Sequence, residues 1–124
     1  MNVALWVVAG VLAAVFLSAG TLKLSQPKDK LAVTGLGWVE GFSAAQVKAI
    51  GAVEVLAAIG LIVPAVLDSA PILVPLAASG LVLLMIGAMV THLRRNERSV
   101  MGVNVVLATM AVFVAWGRFG PHPF

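Results

Sequence analysis

Four apolar runs, each about 20 residues long and separated by short polar connections, constrain this chain more than any other feature. They extend from about Val3 to Leu24, Val47 to Val66, Pro71 to Leu93 and Val100 to Gly117. Crossing the hydrocarbon core of a bilayer takes about 17–25 such residues. Hydrocarbon offers the backbone no hydrogen-bond partner, so each run must satisfy its own N–H and C=O groups and is expected to be a helix. Composition names the same solvent. Of 124 residues 61% are hydrophobic and 10% charged, against about 45–50% and about 25% in an ordinary soluble domain. A soluble fold of this size leaves too much surface exposed to hide that excess. The expected architecture is all-α, a membrane-spanning four-helix bundle, with residues 1–124 as a single transmembrane domain. The first run has no basic stretch before it and is longer than the apolar core of a signal peptide, so it reads as a retained helix.

Punctuation supports these boundaries. Ser43 and Gln46 make a capping-box pattern ahead of the second run. Asp68 and Ser69 precede Pro71, which suits the first turn of the third, and Pro75 falls near the same turn. Pro64 is placed to kink or end the second. Trp6 and Trp116 are expected near one membrane face and Trp38 near the other. The longest connection, Ser25 to Ala45, reads either as a short amphipathic segment on the membrane surface, using Leu31, Leu36, Trp38 and Phe42, or as an ordered loop.

The positive charges are lopsided. Lys23, Lys28, Lys30 and Lys48 cluster around the first connection, Arg94, Arg95 and Arg98 around the third, and only Arg118 lies on the opposite face. The expected topology is therefore cytoplasmic basic loops with both termini outside, in the plasma (inner) membrane of a bacterium. The net charge of +3 then reflects these loops and anionic lipid, and no nucleic-acid partner is expected.

The polar residues inside the apolar runs carry the functional signal. Lys23, Glu54, His92 and Asn104 come one from each run, and all fall in the half of the membrane nearer the basic loops. An acidic side chain at mid-helix costs roughly 2.5–3.5 kcal/mol on insertion scales, so Glu54 should face protein or water. Gly51 and Ala58 flank it on its helical face and allow another helix to approach. A Lys23–Glu54 contact is the expected arrangement, with His92 and Asn104 able to complete a network. Each residue also has a plainer reading. Lys23 can snorkel to the headgroups, and Glu54 can serve helix packing alone. His92, beside Arg94 and Arg95, reads as an interfacial residue before it reads as a ligand, and Asn104 as a cross-helix hydrogen bond. Met85, Met89, Met101 and Met110 either line an adaptable pocket or fill the core.

Several chemistries lack candidates. With no cysteine there are no disulfides, thiolates or iron–sulfur clusters. His122 lies on the face opposite His92, so no metal site is expected. Asp68 and His92 fall at opposite ends, which leaves no Ser-His-Asp arrangement. Catalytic residues stay unknown, and whether the protein is an enzyme stays open.

Three stretches together resemble the DoxX-like family of small four-helix membrane proteins. They are Phe16 to Leu24 with its AG-x-x-K pattern, Ile50 to Gly60 around Glu54, and Gly87 to Arg95 around His92. The resemblance runs from the first helix to the fourth and implies a four-helix bundle. The family's characteristic Lys and Glu fall on Lys23 and Glu54. It implies, for some members, association with membrane oxidoreductase complexes or quinone-linked sulfur oxidation. A related animal branch resembles chaperones for ion-channel receptors. Fold does not fix function, and the lack of cysteine counts against a thiol-based redox role.

Two expectations follow. The first is a redox-associated subunit whose polar cluster binds the head group of a quinone, isoprenoid or other lipid, with no cofactor held by the chain itself. The alternative is a non-enzymatic assembly factor, docking a membrane protein partner through small-residue faces such as Gly80 and Gly87, or packing as a homo-oligomer. A solute or proton carrier ranks last, because broken helices and inverted repeats are missing.

Overall fold

A computed structural model of the chain describes residues 2–33, 42–96 and 98–123. Its elements are α1 (Asn2–Ser25), α2 (Lys28–Val33), α3 (Ala44–Val66), α4 (Leu73–Arg94) and α5 (Arg98–Phe119). Four of these helices are long and apolar enough to cross a membrane. They match the four apolar runs to within three residues at every end. α1 packs on α3, α3 on α4, α4 on α5, and α5 returns to α1. The result is an all-α, up-and-down bundle of an integral membrane protein. The side of the bundle holding the α1–α3 and α4–α5 connections is called the basic end below, and the side holding both chain ends the terminal end.

Local chemistry sets most helix ends. At the start of α3 the Gln46 amide donates to Ser43 Oγ at 3.1 Å and the Ser43 amide to Gln46 Oε1 at 2.8 Å, the expected capping box. At the end of α1, Lys48 Nζ donates to the Leu24 carbonyl at 3.0 Å, supplying a cation where a helix leaves carbonyls unpaired. The α3–α4 turn departs from expectation. α4 begins at Leu73, beyond Pro71, and neither Asp68 nor Ser69 caps it: Ile72 is the N-cap, without a side-chain bond. Asp68 and Ala70 both take φ of 50°, and the Ser69 amide folds back to the Pro64 carbonyl at 3.0 Å. Pro71 disfavours right-handed helix at Ala70, and Ala70 takes positive φ where extended backbone is the usual outcome. Pro75 is the third residue of α4. Pro64 does not end α3, which continues to Val66.

The surfaces are inverted relative to a soluble bundle. Phe16, Leu12, Leu61, Leu81 and Val114 are buried, yet Leu56, Leu83 and Val103 stay exposed on the outside. Lipid chains are as apolar as these side chains, so burial gains little and close packing holds the helices together. α1 and α3 approach each other closely at two glycines. A Cβ on Gly20 would lie 2.6 Å from the Gly51 carbonyl oxygen, and one on Gly51 2.8 Å from Lys23 Cβ. Near the terminal end Gly117 presses on Leu5, where a Cβ would lie 2.6 Å from the leucine methyl, and Gly60 faces Ala77.

Trp6 and Trp116 share the terminal end, where Trp116 stacks on Phe113 with ring centres 6.1 Å apart. Trp38, Leu36 and the glycines of the long connection lie outside the described residues. In the part that is described, α2 turns Leu31 inward, 1% exposed, while Asp29 and Lys30 face out.

Candidate functional site

Lys23 Nζ lies 2.7 Å from Glu54 Oε1, and both residues are buried. Helix direction explains the pairing. A Cα–Cβ bond tilts toward the N-terminus of its own helix. Near the C-terminus of α1, Lys23 therefore leans away from the basic end, into the bilayer. Glu54 lies on α3, which runs the other way, and leans toward the basic end. The Gly20–Gly51 contact sets the register and leaves the lysine stem lying over Gly51, one turn from Glu54. Snorkelling would require Lys23 to turn against its own Cβ direction.

The second hairpin repeats this geometry. His92 is near the C-terminus of α4 and leans inward, while Asn104 is in the first half of α5 and leans out. Both are 7% exposed. All four polar candidates line one cavity of about 570 Å³ between the α1–α3 and α4–α5 hairpins. Its remaining walls are mostly apolar and include Phe16, Ile50, Met85 and Leu107. Thr91 also lines it, its hydroxyl donating back to the Gly87 carbonyl at 3.0 Å. Such a volume falls in the usual range of small-molecule sites, about 300–1,000 Å³.

His92 is a buried wall residue of the cavity, two residues before the end of α4. The Asn104 amide nitrogen makes no cross-helix bond: it is buried without a hydrogen-bond partner among the described residues. Met85 lines the cavity, whereas Met89 and Met110 pack against the core.

Two residues named in the sequence only for the long connection and for topology, Phe42 and Arg118, take further roles in the structure. Phe42 lines the cavity at the basic end. Its signal was its place just before the Ser43 cap, with Val47 four positions into the helix, the spacing of a hydrophobic staple. Arg118, counted only as a topological charge, is 4% exposed. It donates to Asn2 Oδ1 at 2.7 Å and to the His122 carbonyl at 3.0 Å, and sits 5.9 Å from the centre of the Trp6 ring. These contacts tie α5 to α1 at the terminal end, far from the cavity.

A family model described as the DoxX-like family matches residues 7–114. The chain belongs to the DoxX-like family. The matched DoxX-like region contains Lys23, Glu54, His92 and Asn104, and so the whole cavity. The Arg118–Asn2 contact falls outside it. No curated protein and no solved structure matches the chain.

Proposed function

We propose that the cavity binds the head group of a quinone or another isoprenoid lipid, and that the protein is a redox-associated subunit of a membrane complex. One observation carries this reading: four polar side chains, one from each spanning helix, line one mostly apolar cavity between the two hairpins. A buried carboxylate beside a cation can hold carbonyl and hydroxyl oxygens and exchange protons with them. Electron transfer would rest on the ligand's own ring chemistry and on a partner protein. The seven-to-one excess of positive residues at the basic end supports a cytoplasmic basic end and external termini, in a bacterial inner membrane.

The test is photolabelling in vesicles with an azido-benzoquinone bearing an isoprenoid tail, followed by peptide mapping. Labels on the cavity walls of α4 and α5, competed by unlabelled quinone and lost in Glu54→Gln, are expected. Labels spread over the lipid-facing surface would defeat the reading.

The alternative, an accessory or assembly subunit, is favoured by Gly80 and Gly87. Both are exposed, and a Cβ on either would meet nothing within 4 Å. A partner helix could approach α4 closely there. Under that reading Gly80→Leu disrupts co-purification of a partner, while Glu54→Gln has the milder effect.

A further inference from the structure

The Lys23–Glu54 pair is internally matched: each charge has its opposite 2.7 Å away. One amide nitrogen on the opposing wall is not. Asn104 is 93% buried, at 7% exposure, and its amide nitrogen has no hydrogen-bond partner among the described residues. An amide NH₂ carries two N–H donors and no acceptor capacity. Leaving it buried and unpaired is destabilising, and a ligand oxygen would remove that cost. Met85, Leu107 and the other apolar walls offer nothing that could accept from it.

The cavity's rim indicates what kind of molecule brings that oxygen. The hairpins are drawn together near the terminal end by Gly117 against Leu5, by Arg118 bonding Asn2 and by Gly60 against Ala77. Nearer the basic end the cavity separates them. Val15 of α1 and Val103 of α5 both line it and are both exposed, Val103 by 59%. Its side opening is thus framed by apolar residues that face hydrocarbon, which suits a chain lying in the bilayer.

Resting on the ligand-site reading above, we infer that Asn104 is the anchoring donor for a carbonyl-type oxygen. That oxygen sits on a bilayer-borne molecule whose apolar chain leaves between the hairpins past Val15 and Val103. A quinone ring carbonyl and a lipid ester carbonyl share this chemistry. The inference therefore specifies the acceptor oxygen and the chain together, and excludes ligands that only donate hydrogen bonds.

The experiment uses the full chain in nanodiscs and measures binding of decyl-benzoquinone, of the same ring without its chain, and of dioctanoylglycerol. Asn104→Leu, Asn104→Gln and Glu54→Gln are compared with the unaltered protein, each checked first for a cooperative thermal transition. Loss of one good hydrogen bond predicts roughly tenfold weaker binding in Asn104→Leu, with most of it restored in Asn104→Gln. The chainless ring should bind far more weakly than the decyl compound. Preference for decyl-benzoquinone supports the inference with a ring carbonyl as the source, and preference for dioctanoylglycerol supports it with an ester carbonyl. Unchanged binding in Asn104→Leu, alongside loss in Glu54→Gln, would overturn the inference and leave the ligand site standing. Equal binding of the chainless ring would overturn it too. No binding of any probe to the unaltered protein would overturn the ligand-site reading, and the inference with it.

Discussion

Gly20 and Gly51 touch backbone to backbone, and that contact brings Lys23 to Glu54. A Cβ on Gly20 would intrude to 2.6 Å from the Gly51 carbonyl oxygen and to 2.7 Å from Val55 Cγ2. The ion pair one turn away depends on helices this close, because the lysine stem lies directly over Gly51. A charge pair inside a membrane is thus positioned by two residues that carry no side chain at all.

Gly20→Ala is accordingly expected to destabilise the bundle by about 1–3 kcal/mol, the usual range for overpacking. Gly102→Ala is the control, since a Cβ there meets nothing within 4 Å. Thermal unfolding in detergent should separate the two. Equal transition temperatures would show that α1 and α3 do not pack as described.

Breaking the ion pair from one side should cost more than removing it whole. Taking one partner from a buried pair leaves an uncompensated charge, typically about 3–5 kcal/mol. Lys23→Met and Glu54→Gln should each lower stability, Lys23→Met more, and the double variant should recover a large part of the loss. A double-mutant cycle with coupling near zero would mean that the two residues act independently.

Asn104→Leu should behave in the opposite way. It removes a buried amide whose nitrogen is unpaired, so the ligand-free protein should become more stable by up to about 1–3 kcal/mol. Gain of stability together with loss of ligand marks a residue kept for binding. A loss of stability in the ligand-free protein would show that the amide is satisfied within the fold.

Topology gives a test that the absence of cysteine makes clean. Asp29 and Pro121 are exposed at opposite ends. In intact cells Pro121→Cys should react with a membrane-impermeant maleimide, and Asp29→Cys only after lysis. The reverse pattern would invert the proposed orientation.

How much of this was legible in the sequence depended on which physical rule applied. The four apolar runs gave the spanning helices because length and backbone satisfaction leave a membrane segment few alternatives. Ser43 and Gln46 gave the start of α3 because a capping box is local. The α3–α4 turn misled, since Asp68 and Pro71 look like a cap, whereas the left-handed backbone at Asp68 and Ala70 cannot be read from residue type. The arginine neighbours of His92 hide its burial, because the tilt of Cβ at the end of α4 turns it toward the cavity. Its convergence with Lys23, Glu54 and Asn104 follows from that tilt and the alternating helix direction. Arg118 gave no such signal. Its burial depends on Asn2 and Trp6, which come from the other end of the chain and meet it only in three dimensions.

If the cavity lined by Lys23, Glu54, His92 and Asn104 holds a membrane-borne ligand, that ligand should leave the membrane with the protein. Native mass spectrometry of the protein, extracted gently from its own membranes beside Glu54→Gln, tests it most directly. A stoichiometric isoprenoid or lipid adduct is expected on the unaltered protein, with its loss from a still-folded variant. A bare bundle, or an adduct that persists unchanged in Glu54→Gln, would contradict it.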